Sequence, residues 1–146
     1  MIQRTLIVLK PDALERGLVG EIIGRLERCG LKLLAIQMRE IGDALARAHY
    51  DDLEARIGSN AYSAVIDYMT SGPVIAMVVE GDGAVPVVRK LIGATFPVDA
   101  APGTVRGDFC HEGPSGDGRA MRNLIHASGT HEDAVRELAL WFGDAL

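Results

Sequence analysis

Two uninterrupted apolar stretches limit what this chain can fold into: residues 5–9 (TLIVL) and residues 74–79 (VIAMVV). A half-exposed strand alternates polar and apolar side chains, whereas an unbroken run rich in β-branched residues marks a strand covered on both faces. The first run stops at Lys10-Pro11-Asp12. Proline has no N–H for the ladder and biases Lys10 away from helix. Lys10 is therefore a cation at the end of a central strand. The second run follows Ser71-Gly72-Pro73, a sharp turn.

The other segments fill in around these two. Leu18, Val19, Ile22, Ile23 and Leu26 recur at helical spacing, with Glu21, Arg25 and Arg28 on the opposite face and Gly30 as a left-handed cap. Residues 31–38 form a second strand whose Lys32 and Gln37 suit a sheet edge. Asp43 is expected to cap a helix over residues 44–55, and a break at residues 58–60 leads to another helix near residues 62–69. Gly81-Asp82-Gly83 turns the chain into a helix with Ala84, Val85, Val88, Leu91 and Ile92 on one face, which places Pro86 in its first turn. Residues 95–119 lose all periodicity, and a loop that long inside a compact domain is usually functional. A fourth strand ends at Leu124-Ile125, followed by a tight, exposed turn at residues 127–129. Thr130 and Asp133 resemble a capping box for a last helix with Val135, Leu138, Trp141 and Phe142 inward. The covered strands are thus the first and the third. A βαββαβ order with an antiparallel sheet places those two in the middle, so the expected fold is an α+β, ferredoxin-like sandwich whose four-stranded antiparallel sheet is covered by helices. A parallel doubly wound sheet is the rival.

The chain has 146 residues, enough for one domain with one sizeable core, and its 48% apolar content excludes disorder. A net charge of −5 with no block of like charge gives no reason to expect nucleic acid or a membrane as partner. Cys29 and Cys110 are far apart and read as reduced, mostly buried thiols of a cytoplasmic protein. No secretory leader precedes the first strand, and no apolar run is long enough to span a bilayer. P-loop, dinucleotide-binding, protein-kinase and HExxH signatures are all missing. The spacings of Cys110, His111, His126 and His131 match no zinc pattern, so no protein metal site is expected. Arg106-Gly107-Asp108 spells an adhesion tripeptide, which in a chain without an export signal reads as coincidence.

The chemistry gathers at RNLIHASG, residues 122–129. A histidine at the end of a strand is held rigidly yet open to a ligand, which suits a nucleophile or a general base. Alone, His126 would more often be a strand-end cap. As a nucleophile it could take a phosphoryl group, provided that cations surround the transferred oxygens. Lys10, Arg89 and Arg106 are candidates for that role, with Thr95 a neutral polar candidate in the long loop, and an arginine's planar fork can bind two phosphate oxygens. The ring's second nitrogen needs an orienting acceptor, for which Glu137 and Ser128 are candidates.

Seven stretches then carry a resemblance: TLIVLKPD, RGLVGEII, HYDDL, YMTSGPVIAMVVEG, RKLIGAT, APGTVRGDF and RNLIHAS. In order and spacing, from about residue 4 to residue 142, they resemble the nucleoside diphosphate kinases. The resemblance implies a ferredoxin-like core and Mg²⁺-dependent, ping-pong transfer of the terminal phosphate of a nucleoside triphosphate to a nucleoside diphosphate, with little base specificity. His126 would be the phosphorylated nucleophile, Glu137 and Ser128 its supports, and Tyr50 the tyrosine beside it. Lys10 and Asn123 would reach the sugar hydroxyl and phosphates, while Arg89, Thr95 and Arg106 would clamp the phosphates. Mg²⁺ would be bound mainly through nucleotide phosphates. The implied partners are nucleoside di- and triphosphates and further copies of the chain, as a dimer, tetramer or hexamer.

Four departures accompany the resemblance. Ala61 stands where the family stacks a phenylalanine on the base, and Tyr62 is the expected substitute. Ala127 replaces the glycine after the histidine, and Gly129 replaces an aspartate. Residues 111–119 carry an insertion in the region that family members use for subunit contacts and for closing over the base. The chain also ends soon after Phe142, short of the tail many members have. The alternative function is a catalytically weak, nucleotide-binding regulatory member of the same fold. A more distant one is an unrelated small-ligand sensor.

Overall fold

A computed structural model describes residues 1–114 and 116–145. β1 (Ile2–Leu9) ends where expected, and Pro11 occupies the first position of α1 (Pro11–Glu15). α2 (Val19–Arg28) buries Ile22 and Leu26 and pairs Arg25 with Glu21 one turn away at 3.2 Å. Gly30, at φ 86°, turns the chain into β2 (Lys32–Arg39). The helix expected over residues 44–55 is two helices, α3 (Asp43–His49) and α4 (Leu53–Ile57). Asp43 lies in the first turn of α3 and bonds Arg47 rather than capping. α5 (Ser59–Met69) leads to β3 (Val74–Asp82), which runs through the expected Gly81-Asp82 turn because both residues pair with β1. The reversal falls on Gly83 alone, at φ 59°. Pro86 is the third residue of α6 (Ala84–Ile92).

The segment read as one long loop is locally ordered. It holds a 3-10 turn at Pro97–Asp99 and α7 (Val105–Phe109), capped by the Thr104 hydroxyl, which accepts from Gly107 N–H at 3.0 Å. β4 (Ile125–Ala127) and α8 (His131–Phe142) complete the order, and the Thr130–Asp133 capping box is present.

The sheet order is β2-β3-β1-β4, with all neighbours antiparallel, so the doubly wound alternative is excluded. The two apolar runs are the central strands because each is covered twice. Ile7, Leu9, Ile75 and Met77 pack against α2, α6 and α7 through Ile22, Leu26, Val88, Ile92 and Val105. Leu6, Val8, Ala76 and Val78 pack against α3, α5 and α8 through Ala46, Ile66, Met69 and Trp141. Each fully buried apolar side chain of this size contributes about 1.5–3 kcal/mol, so the unbroken buried runs at residues 5–9 and 74–79 make β1 and β3 the hardest elements to replace. Val135 points outward at 59% exposed, contrary to expectation, whereas Trp141 and Phe142 are buried. Cys29 is exposed and Cys110 half-buried, so neither is a core thiol. No helix among the described residues is long and apolar enough to cross a membrane.

Candidate active site

His126 is the middle residue of β4, not its end, and pairs with Val8 of β1. The turn beyond it is not open as expected, since Ala127 and Ser128 are buried. Because facing residues in a ladder point the same way, His126 shares Val8's side of the sheet, the side covered by α3, α5 and α8. Glu137 of α8 is buried there, and its Oε2 lies 3.0 Å from His126 Nε2. The same oxygen accepts from the Ser128 hydroxyl at 2.7 Å. Ser128 is itself fixed, its Oγ accepting from Leu6 N–H at 3.3 Å. A carboxylate at Nε2 keeps the ring proton there and leaves the Nδ1 lone pair free. Burial lowers the His126 pKa, the Glu137 carboxylate raises it, and the charges on Lys10 and Arg106 oppose protonation further. The net shift is downward, so the ring is neutral at pH 7.

Two rings pack directly against the histidine, and a third backs them. His49 meets His126 edge-on at 4.3 Å between centroids and Tyr50 meets it at 6.3 Å. Trp141 Nε1–H donates to His49 Nδ1 at 3.0 Å. Burial pushes the His49 pKa far down and the Tyr50 phenol up, so both are neutral. Their remaining polar atoms, His49 Nε2 and Tyr50 Oη, are buried without a hydrogen-bond partner.

The cations come from the ends of other elements. Lys10 Nζ donates to Asn123 Oδ1 at 2.7 Å, and Asn123 Nδ2 donates to the Thr95 carbonyl at 2.9 Å. Burial, with Arg106 nearby, lowers Lys10 to about 8. Arg106, 3% exposed, bonds the carbonyls of Gly93, Ala94, Asn123 and Ile125. It is a strut first: it ties α7 to the histidine strand and brings its charge with it. Arg89 of α6 reaches the Ala127 carbonyl at 3.5 Å. A neutral imidazole with one nitrogen oriented by a buried carboxylate, beside several cations, is arranged for nucleophilic attack on an anionic group.

The sequence model for nucleoside diphosphate kinase matches residues 3–145. The chain belongs to the nucleoside diphosphate kinase family. It is 49% identical to the nucleoside diphosphate kinase of Archaeoglobus fulgidus, over 98% of this chain and 88% of that one. With that of Pyrococcus furiosus it shares 50% identity, over 97% and 83% respectively. Among solved structures it is similar to a transition-state mimic of the Borrelia burgdorferi nucleoside diphosphate kinase with bound vanadate and ADP. That match has a TM-score of 0.94 and 42% identity and covers 99% of this chain and 89% of that one. The Halobacterium salinarum nucleoside diphosphate kinase in complex with CDP gives a TM-score of 0.87 at 42% identity, covering 99% and 90%.

Within this family member the structure gathers Lys10, Tyr50, Arg89, Arg106, Asn123, Ser128 and Glu137 around the His126 segment. Thr95 joins through its carbonyl, with its residue exposed. Tyr62 does not suit base stacking: it is 5% exposed, packed in the α3–α5–α8 core, with the Arg47 guanidinium 5.5 Å over its ring. Helical phase decides this, because Ile66 and Met69, four and seven residues on, face the same core. Ala61 instead lines an open cleft of about 570 Å³ with residues 57–60, facing Gly116 and Gly118 of the insertion. No aromatic ring is among those lining residues. Glu112 anchors the insertion, its carbonyl accepting from Val98 N–H at 3.1 Å, while Ser115 lies outside the described residues.

Sequence reasoning missed His49, Asp12 and Tyr68. The signals were there: His49 adjoins Tyr50, Asp12 closes the KPD motif and Tyr68 precedes the SGP turn. The ligand atoms of His49, His126 and Glu137 lie within 4.8 Å of one another. Two imidazoles and one carboxylate do not suit Mg²⁺, which takes oxygen ligands, and Gly129 adds none.

Proposed function

We propose that this protein is a nucleoside-diphosphate kinase that moves the terminal phosphate of a nucleoside triphosphate to a nucleoside diphosphate through a phosphohistidine on His126. The observation that carries this reading is the His126–Glu137–Ser128 arrangement, which fixes a neutral ring with Nδ1 free beside Lys10 and Arg106. In the first half-reaction the Nδ1 lone pair attacks the γ-phosphorus. The bond to the β–γ bridging oxygen breaks, and the nucleoside diphosphate leaves with that electron pair. In the second, a terminal β-phosphate oxygen of the incoming diphosphate attacks, the P–N bond breaks, and Nδ1 recovers its lone pair. Glu137 holds the proton at Nε2 throughout and stabilises the positive charge that develops on the ring. On this reading Lys10 and Asn123, which are bonded to each other, bind the sugar hydroxyl and phosphates, with Arg89 and Arg106 supplying further charge.

Mg²⁺, where used, would be carried by the nucleotide rather than by side chains of this chain, and would supply neutralisation of phosphate charge. The cleft between residues 57–61 and the insertion is where the base would lie. With Ala61 in place of a ring, base identity should matter little. Self-association as a homo-oligomer is supported by Ile36 and Met38, 48% and 66% exposed on edge strand β2, and sedimentation of the purified protein reads its order.

The test is label transfer. Protein incubated with γ-labelled ATP and Mg²⁺, then separated, should carry acid-labile label that GDP removes as GTP. His126→Ala should carry none. Unlabelled wild-type protein, or label retained by His126→Ala, refutes the reading.

A further inference from the structure

Among the described residues, Leu124 is the one non-glycine with a positive φ, 70°. It is fully buried and lies two residues before His126 and one after Asn123. Ile125 N–H donates to the Asn123 carbonyl at 2.8 Å, which closes a three-residue turn about Leu124. Such turns with positive φ are rare and strained. They persist only where the surroundings over-determine them.

Leu124 is held on both sides. Its carbonyl accepts from Lys10 N–H at 2.8 Å, and its N–H donates to Asp12 Oδ2 at 3.1 Å. Asp12 is 1% exposed and is itself pinned. Tyr68 Oη donates to Asp12 Oδ1 and accepts from Asp12 N–H at 3.2 Å. A buried carboxylate needs its oxygens satisfied. Here they are satisfied by α5, through Tyr68, and by the strained turn, so α1, α5 and the histidine strand meet at one side chain.

We propose that Asp12 is a positioning residue for phosphoryl transfer: its carboxylate holds Leu124 in the left-handed conformation and thereby fixes Asn123 and His126 against Lys10. Without it, Leu124 can relax toward negative φ. That rotation reverses the Asn123 carbonyl, which Arg106 also binds at 3.2 Å, and releases the Asn123 side chain from Lys10 and Thr95. Both Asp12 oxygens are taken up, one by Tyr68 and one by Leu124 N–H, so Asp12 acts through the backbone of residues 123–125. Its charge has a second effect. Lys10 feels burial and Arg106 opposing its protonated form and Asp12 and Cys110 favouring it, while the neighbouring His49 and His126 are neutral where it titrates.

This inference rests on His126 being the phosphorylated residue, so both are read in one experiment. Active sites are first titrated by stoichiometric phosphohistidine formation, and turnover is then expressed per titrated site. A residue that only stabilises the fold would change the number of competent sites and the melting temperature but not turnover per site. Asp12→Ala should lower turnover per site by about tenfold or more, since small misplacements of reacting groups cost that much. Asp12→Asn can keep both hydrogen bonds, with its amide N–H donating to Tyr68 Oη. It should recover most of the neutral-pH rate while moving the alkaline limb of kcat/KM to lower pH. If Asp12→Ala yields no folded protein, Tyr68→Phe, which frees Asp12 Oδ1, should lower turnover per site several-fold. Turnover per site within twofold of wild type in Asp12→Ala, or in Tyr68→Phe where Asp12→Ala does not fold, overturns the inference. Absence of phosphohistidine in the wild type would instead overturn the proposed function.

Discussion

One oxygen, Glu137 Oε2, accepts hydrogen bonds from both His126 Nε2–H and the Ser128 hydroxyl. An amide there would keep the shape but lose the charge that balances a ring becoming cationic. Glu137→Gln is therefore expected to lower kcat by on the order of 100-fold or more, as when the carboxylate behind a catalytic imidazole is amidated. KM for ADP should move little, because the carboxylate is buried and bonded to His126 and Ser128. Lys10 makes a second measurable claim. Its pKa of about 8 means that the cation is lost as pH rises through 8, so kcat/KM should fall on an alkaline limb near that value. Stability should move the other way. Between about 8 and 10.5 the unfolded chain binds the Lys10 proton and the native chain does not, so stability rises with pH across that window. Urea midpoints and kcat/KM measured from pH 7 to 10 should diverge. On the acid side, the His126 pKa lies below 6.5, so the neutral nucleophile persists down past that pH. The residues legible from sequence were those whose role follows from being charged at a strand end, such as Lys10. Tyr62 was misread because exposure is set by helical phase, and His49 was overlooked because its value lies in ring contacts to His126 and Trp141.

The segment that carries Arg106 shows why some elements escape a sequence reading. α7 has five residues and no periodicity to betray it. It exists because tertiary contacts replace length. Thr104 caps it and donates to the Ala101 carbonyl at 2.6 Å, while Asp108 accepts from Gly103 N–H and pairs with Arg25 at 2.7 Å. The Arg-Gly-Asp run is thus taken up by the fold's own contacts: Arg106 is a buried strut, Gly107 a close backbone contact, and Asp108 a loop anchor at the surface. Gly107 is required because a Cβ there would sit 1.9 Å from the Ala101 carbonyl oxygen, backbone that cannot swing aside. Gly107→Ala should push α7 off its loop, costing about 1–3 kcal/mol, the usual scale of overpacking. It should also lower kcat, because Arg106 moves with the helix. A chemical-denaturation midpoint and a rate measured on the same preparation test both. The break between α3 and α4 was hidden for a related reason: residues 44–55 hold no proline or glycine to announce it. It falls at residues 50–52, so that His49 and Tyr50 can turn in against His126.

Chain topology was the most legible property, because two runs of buried strand leave few ways to arrange four strands. That topology draws the site from both layers. His126, Glu137, His49 and Tyr50 belong to the α3–α5–α8 side, whereas Arg89 and Arg106 arrive from α6 and α7 on the other. What no linear pattern could convey was that these charges would converge at the rim of a single short strand. Their convergence has a thermodynamic side. Burial and Arg89 depress the Arg106 pKa, and burial and Arg106 depress that of Lys10, so the site gathers mutually repelling cations. A compact polyanion relieves that repulsion, and only the folded chain presents the site. Saturation at one hundred times the dissociation constant should add about 2.7 kcal/mol to stability. ADP and inorganic pyrophosphate should therefore both raise the melting temperature, whereas adenosine, which has no phosphate, should not. Affinity for phosphate esters is thus written into the fold itself, as charge gathered at a cost that a bound anion repays.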